Sequence, residues 1–98
     1  MARAYTKAEM RERFLRHVAS VTDYWAELPD KTPQERTAGV AFSILVALDG
    51  ETLALPGFNV VCRPHPDDKK YCKSKGCNWT PDGCDIGGAL HEQFAKMR

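Results

Sequence analysis

The chain has 98 residues, 43% hydrophobic and 28% charged, with a formal net charge of +1. That composition suits one globular domain over residues 1–98 and argues against disorder. Fourteen basic side chains against thirteen acidic ones leave no strong overall field, so nucleic acid is set aside as a leading partner. No uncharged run approaches the roughly 20 residues of a membrane span, and residues 1–8 lack the apolar centre of a signal peptide. The expected location is therefore the cytoplasm of a bacterial host cell, without a membrane partner, where cysteines stay reduced.

The first predicted element opens at Thr6-Lys7-Ala8-Glu9, a capping box in which the Thr6 hydroxyl accepts from the Glu9 amide and Glu9 reaches back. Met10, Phe14, Val18, Val21, Trp25 and Leu28 then recur at helical spacing. Pro29 ends the helix by pushing its predecessor out of the α region. A second helix starts at Thr32, with Pro33 at the first helical position and Glu35 completing the box. From Thr37 to Leu48 it carries no charged side chain, and Ala38 and Gly39 are small enough to admit a neighbouring helix. The β-branched residues in this run also suit a strand, but the doubled start signal and the length favour helix. A helix apolar on nearly every side belongs at the centre of a fold, with Asp49-Gly50 as its stop.

Residues 53–62 read as extended, and Pro56-Gly57 as a turn pair, so a small β-hairpin is expected with 58–62 as its better strand. Pro64 and Pro66 interrupt the chain. Asp67 is expected to cap a short helix over 68–75, which Gly76 terminates, and 78–83 is loop. Asp85 is expected to cap the last helix, where Ile86, Leu90, Phe94 and Met97 form a stripe. The fold class is mostly α, as an α+β arrangement. A central buried helix is flanked by the amino- and carboxy-terminal helices, with a small β-hairpin and a short extra helix.

Four constellations bear on chemistry. Arg63-Pro64-His65-Pro66-Asp67-Asp68 resembles the HPDD signature of zinc-dependent deacetylases that act on N-acetyl sugars. The resemblance implies His65 and one of Asp67 and Asp68 as zinc ligands, with the other aspartate as general base for metal-bound water. It spans six residues, and His91 would have to supply a third ligand. The plainer reading is a proline-flanked turn with Asp67 as a helix cap.

The cysteines Cys62, Cys72, Cys77 and Cys84 form the second set, with metal-like spacings at Cys62-x-x-His65 and Cys72-x4-Cys77 and with Cys84 or His91 available to complete a site. Unlinked thiols, a structural zinc and disulfides are all open, and a reducing location favours the first.

The third is a basic strip, Lys69, Lys70, Lys73 and Lys75, beside Tyr71 and Trp79, with a second strip at Arg11, Arg13 and Arg16. Cations beside flat rings suit a phosphate-bearing ligand or a protein contact, against the plainer reading of a solvated helix face. The fourth, Asp85-Ile86-Gly87-Gly88-Ala89, is expected to give close helix packing first and an anion site second, because Asp85 competes for the bare amides.

Three pieces taken together, AGVAFSILVALDG (38–50) with ALPGF (54–58), PHPDD (64–68) with NWTP (78–81), and DIGGALHEQF (85–94), resemble a set of small uncharacterised proteins of bacteria and their phages. The resemblance covers most of the chain and carries no assigned reaction. It implies a compact phage- or prophage-type accessory protein that binds a host component, nucleases and nucleotide signals of antiviral defence among them.

The expected function is binding rather than catalysis. The target is a host protein or a phosphorylated small ligand, met by Lys69, Tyr71, Lys73 and Trp79, with no cofactor required. The alternatives are zinc-dependent hydrolysis through His65, Asp67 and Asp68, and a structural zinc module held by cysteines. A homodimer is expected if the second helix is not fully covered within one chain.

Overall fold

The structure, a computed structural model, describes residues 3–81 and 83–98. Met1 and Ala2 of the amino-terminal stretch, and Asp82 of the loop expected over 78–83, lie outside the described residues. The order is α1 (Lys7–Glu27), α2 (Pro33–Leu48), α3 (Pro66–Lys75) and α4 (Leu90–Lys96). No helix among the described residues is long and apolar enough to cross a membrane.

Both predicted capping boxes form. Thr6 Oγ1 accepts from Glu9 N–H at 3.1 Å, and Thr32 Oγ1 from Glu35 N–H at 3.1 Å, each glutamate returning the bond. Arg3 adds two 2.7 Å bonds to Glu9, and these, with the Thr6 amide, pull the Glu9 carboxyl down to about 2.

α1 and α4 each pack on α2, and among the described residues they do not reach one another. The Trp25 indole lies over Gly39 and donates from Nε1 to Ser43 Oγ at 2.9 Å; Arg36 Nη2 donates to the Leu28 carbonyl at 2.7 Å. α2 is therefore central, as its sequence indicates. Its burial is less complete than expected: Gly39 and Ala47 are buried, while Val40, Phe42, Ile44, Leu45, Val46 and Leu48 are half-buried. One row of helices is the reason, since a row covers the flanks of its middle member and leaves the faces to loops or to solvent. The molecule measures 50 × 44 × 21 Å.

The expected β-hairpin over 53–62 is absent, and no strand occurs among the described residues. Gly50, at φ 79°, passes so close to Gly57 that a Cβ on it would come within 2.9 Å of the Gly57 Cα. That crossing turns the chain back against the end of α2. The Phe58 amide donates to the Leu48 carbonyl at 3.0 Å, Glu51 N–H to Val46 at 3.1 Å, and Leu55 is buried. The amide a hairpin would need is spent on a helix terminus, and Pro56 has none to offer. Phe58 meets Phe14 of α1 edge-on at 5.4 Å, and Arg13 Nη2 reaches the Ala54 carbonyl at 3.3 Å. The extended segment pairs instead through a single antiparallel bridge, Val61 with Asp85.

The last helix begins later than expected. Asp85 does not cap it; Asp85 Oδ1 accepts from the Val60 and Gly87 amides, both at 2.9 Å. Gly88 (φ 94°) and Ala89 (φ 55°) are left-handed, so helical geometry starts at Leu90 and Ile86 stays exposed. The start of α4 is satisfied from elsewhere in the fold: Asp49 Oδ2 accepts from the His91 amide at 2.9 Å and meets His91 Nδ1 at 2.5 Å.

Candidate binding surface

Residues 62–81, with 83 and 84, form an arm built around α3, a helix that packs on no other helix among the described residues and has no buried side chain. Its local logic is complete without them. His65, not the expected Asp67, is the N-cap: its Nδ1 accepts from the Asp67 amide at 3.2 Å, and Pro66 follows at the first helical position. Asp67 and Asp68 lie in the first turn and Lys73 and Lys75 in the last, the placement the helix dipole favours. Gly76 closes the helix at φ 68°.

The charge order along α3 leaves its carboxy-terminal end cationic, and two flat rings stand there. Lys73 Nζ lies 5.3 Å from the centre of the Trp79 ring, and Lys75 Nζ lies 6.0 Å from that of Tyr71. Tyr71 is 63% exposed and Trp79 38%. Of the four residues assigned to binding from the sequence, the structure brings Lys73 and Trp79 together. It places Tyr71 on the same helix and leaves Lys69 half-buried earlier along α3. Lys75 belongs to the basic strip read from the sequence but is not among the four binding residues, although its spacing of four from Tyr71 on a helix is a readable sign. Two members of the second basic strip are tied into the scaffold: Arg16 pairs with Glu12 at 2.7 Å, and Arg13 lies over the Tyr5 ring.

The residues of the HPDD motif are differently employed. His65 caps a helix, with Nδ1 3.9 Å from Asp67 Oδ2. His91, the proposed third ligand, is held by Asp49 and lies edge-on to Phe42 at 5.5 Å. Among the described residues, no three of the His, Cys, Asp and Glu side chains converge as a metal site would require.

The cysteines fall into two pairs. Cys72 and Cys77 are in contact, as are Cys62 and Cys84. Burial, followed by the neighbouring cysteine, raises the pKa of Cys72 and likewise that of Cys84, so both are held as thiols at neutral pH.

The expected anion site at 85–89 is taken by the Asp85 carboxylate itself. Gly87 does serve close packing, though on a loop rather than a helix: a Cβ there would lie 3.0 Å from Asp85 Oδ1 and 3.4 Å from Val60 N.

Comparison of the chain with protein-family models, curated proteins and solved structures finds no significant match.

Proposed function

We propose that this chain is a small accessory binding protein of the phage or prophage kind, which engages a host protein or a phosphorylated small ligand through the end of α3. The observation that carries this reading is the pair of cation–ring contacts, Lys73 on Trp79 and Lys75 on Tyr71, on an arm whose helix packs on no other helix among the described residues. A Lys–Trp pair at an exposed site contributes about 0.5–1 kcal/mol. That is a small return for leaving Tyr71 63% and Trp79 38% exposed. Exposed aromatic side chains bring large contact area at small entropic cost, and the neighbouring ammonium groups favour an acidic or phosphate-bearing target. In the zinc-hydrolase alternative His65 must be a ligand, and its Nδ1 is already engaged as the helix cap.

The test is retention from a host-cell extract on immobilised protein, with the bound species identified by mass spectrometry. A species held by the native chain and lost from Trp79→Ala supports the reading. Equal retention by both rejects it.

Self-association is a second reading, favoured by the surface area. A monomer of 11.0 kDa exposes about 5,600 Å², whereas this chain exposes 7811 Å². Its radius of gyration is 16.9 Å, against about 13 Å for a compact chain of this length. The arm accounts for part of the excess. The remainder matches the half-buried faces of α2, where an apolar groove of about 370 Å³ is lined by Trp25, Ala38, Gly39, Phe42 and Phe94. Domains pack two layers of secondary structure, and a second copy laid on α2 supplies the missing one. A dimer interface buries roughly 800 Å² or more per partner, which the part of the excess not due to the arm can supply. Sedimentation equilibrium is expected to give a dimer mass at micromolar concentration; a monomer mass there removes this reading.

A further inference from the structure

The backbone of the arm brings its four cysteines together two by two, through two different motifs. Cys62 donates its amide to the Cys84 carbonyl at 2.8 Å, and Ile86 donates to Val60 at 2.8 Å, on either side of the Val61–Asp85 bridge. Positions 62 and 84 therefore lie directly opposite each other. They share one ladder bond, because the Cys84 amide donates to the Pro81 carbonyl at 3.2 Å, and the two thiols are in contact. Opposed residues of an antiparallel pair have Cα atoms about 4.5–5.5 Å apart, inside the roughly 4.4–6.8 Å that a disulfide spans.

Cys72 and Cys77 meet through the way α3 ends. With Gly76 left-handed, Cys77 N–H donates to the Cys72 carbonyl at 3.1 Å and Gly76 N–H to Lys73 at 3.3 Å. This is the Schellman arrangement, which sets the side chain two residues past the helix against the one three residues before its end. In most proteins that contact is apolar; here both positions are cysteine.

We infer that the arm is a disulfide-forming element that closes two nested bridges, Cys62–Cys84 at its root and Cys72–Cys77 at its tip. In each closure two S–H bonds break and one S–S bond forms. The two electrons and two protons pass to a disulfide oxidant such as oxidised glutathione, which leaves as two thiols after a mixed-disulfide intermediate. The bridges are structural, not redox-catalytic, and they close only where the chain meets an oxidising environment, since a reducing cytoplasm keeps all four thiols. A catalytic cysteine needs a depressed pKa, and burial beside a second cysteine works the other way for Cys72 and Cys84.

The need for them is visible in the arm itself. Its helix buries no side chain, and small elements without a core are held by cross-links. Zinc is the competing use of these cysteines, and it requires four Cys or His ligands gathered on one ion. The two pairs belong to separate motifs, and no three candidate ligands converge among the described residues. This inference is independent of what the arm binds.

The test is to incubate the purified chain with a glutathione redox buffer at pH 8, then count thiols under denaturing conditions and map the links without reduction. Trypsin cuts after Lys70, Lys73 and Lys75, and an aspartate-directed protease cuts before Asp82, so each cysteine falls on its own peptide. The expected result is loss of all four thiols, a mass lower by about 4 Da, and peptides joined as 62 with 84 and 72 with 77. The double variant Cys72→Ser/Cys77→Ser is expected to close the outer bridge still, with a mass lower by about 2 Da. Any other pairing overturns the inference, as do four thiols that persist in the oxidant or stoichiometric zinc that protects all four.

Discussion

Alanine at Asp49 is expected to lower the unfolding free energy by about 1–3 kcal/mol, the cost of leaving the donors it satisfies without a partner away from water. For a domain of this size each kcal/mol moves the melting temperature by about 4–8 °C, so the drop is large in any thermal scan. The Asp49 side chain is 2% exposed. Its Oδ2 accepts the His91 amide at 2.9 Å and meets His91 Nδ1 at 2.5 Å, and the Leu90 amide adds to the same carboxylate. α4 has no side-chain cap of its own. Asp49 ends α2 and begins α4 at once, so removing it uncaps one helix and takes the partner from the imidazole Nδ1. Asp49→Asn keeps an acceptor and is expected to cost about half as much.

The same contact predicts acid sensitivity. Burial by itself would raise the Asp49 carboxyl, but the hydrogen bonds from His91 and the Leu90 amide outweigh it and hold the group below the ordinary carboxylate range. A carboxyl depressed in the folded state contributes its stabilisation in full above the unfolded value of about 4. That stabilisation is lost as pH falls through the folded value. Denaturant melts from pH 7 downward are expected to converge for the native chain and Asp49→Asn; parallel curves would contradict the assignment.

Alanine at Gly39 is the second large effect, and its sign is the informative part. In an ordinary helix interior, glycine to alanine gains about 0.5–1 kcal/mol. Here the added Cβ would come closer than 3.0 Å to the Trp25 indole. Overpacking of a fitted contact costs about 1–3 kcal/mol, and the ring cannot retreat without losing its bond to Ser43. A net loss of about 1–2 kcal/mol is expected, together with a red shift of Trp25 fluorescence. Combining Gly39→Ala with Trp25→Leu should recover part of it, because the two sites touch. A stabilised Gly39→Ala would show that α1 does not sit on α2 as described.

The scaffold was legible where its signals are local. Thr6, Thr32, Pro33, Glu35 and Gly76 each act through neighbours within a turn, and α1, α2 and the end of α3 follow from them. The hairpin was misread because Gly50 and Gly57, seven residues apart, cross. No local rule says that a glycine pair will send the Phe58 amide to Leu48. The start of α4 was misread for a similar reason: Asp85 turned back to Val60, and the cap came from Asp49, 42 positions from His91. His65 displaced Asp67 as the α3 cap by position alone, since Pro66 fixes where the helix begins. In the binding surface, the strip and the rings were readable from spacing along α3, while the Lys73–Trp79 pairing depended on how the loop after Gly76 returns. The cysteine pairing carried one overlooked local sign. A glycine just before Cys77, four residues after Cys72, is the spacing a Schellman end requires.

The central claim is that a helical platform built on α2 carries an arm whose outward face does the binding. It is tested most directly by titrating the partner recovered on the native chain into the double variant Lys73→Ala/Trp79→Ala and measuring affinity and melting temperature on the same preparation. The account predicts affinity weaker by at least about 30-fold, as loss of a contact worth about 2 kcal/mol or more implies. The melting temperature should move little beside the loss of affinity, because α3 packs on no other helix among the described residues and the Lys73–Trp79 contact lies outside the α1–α2–α4 platform. Native affinity in the double variant would contradict the claim.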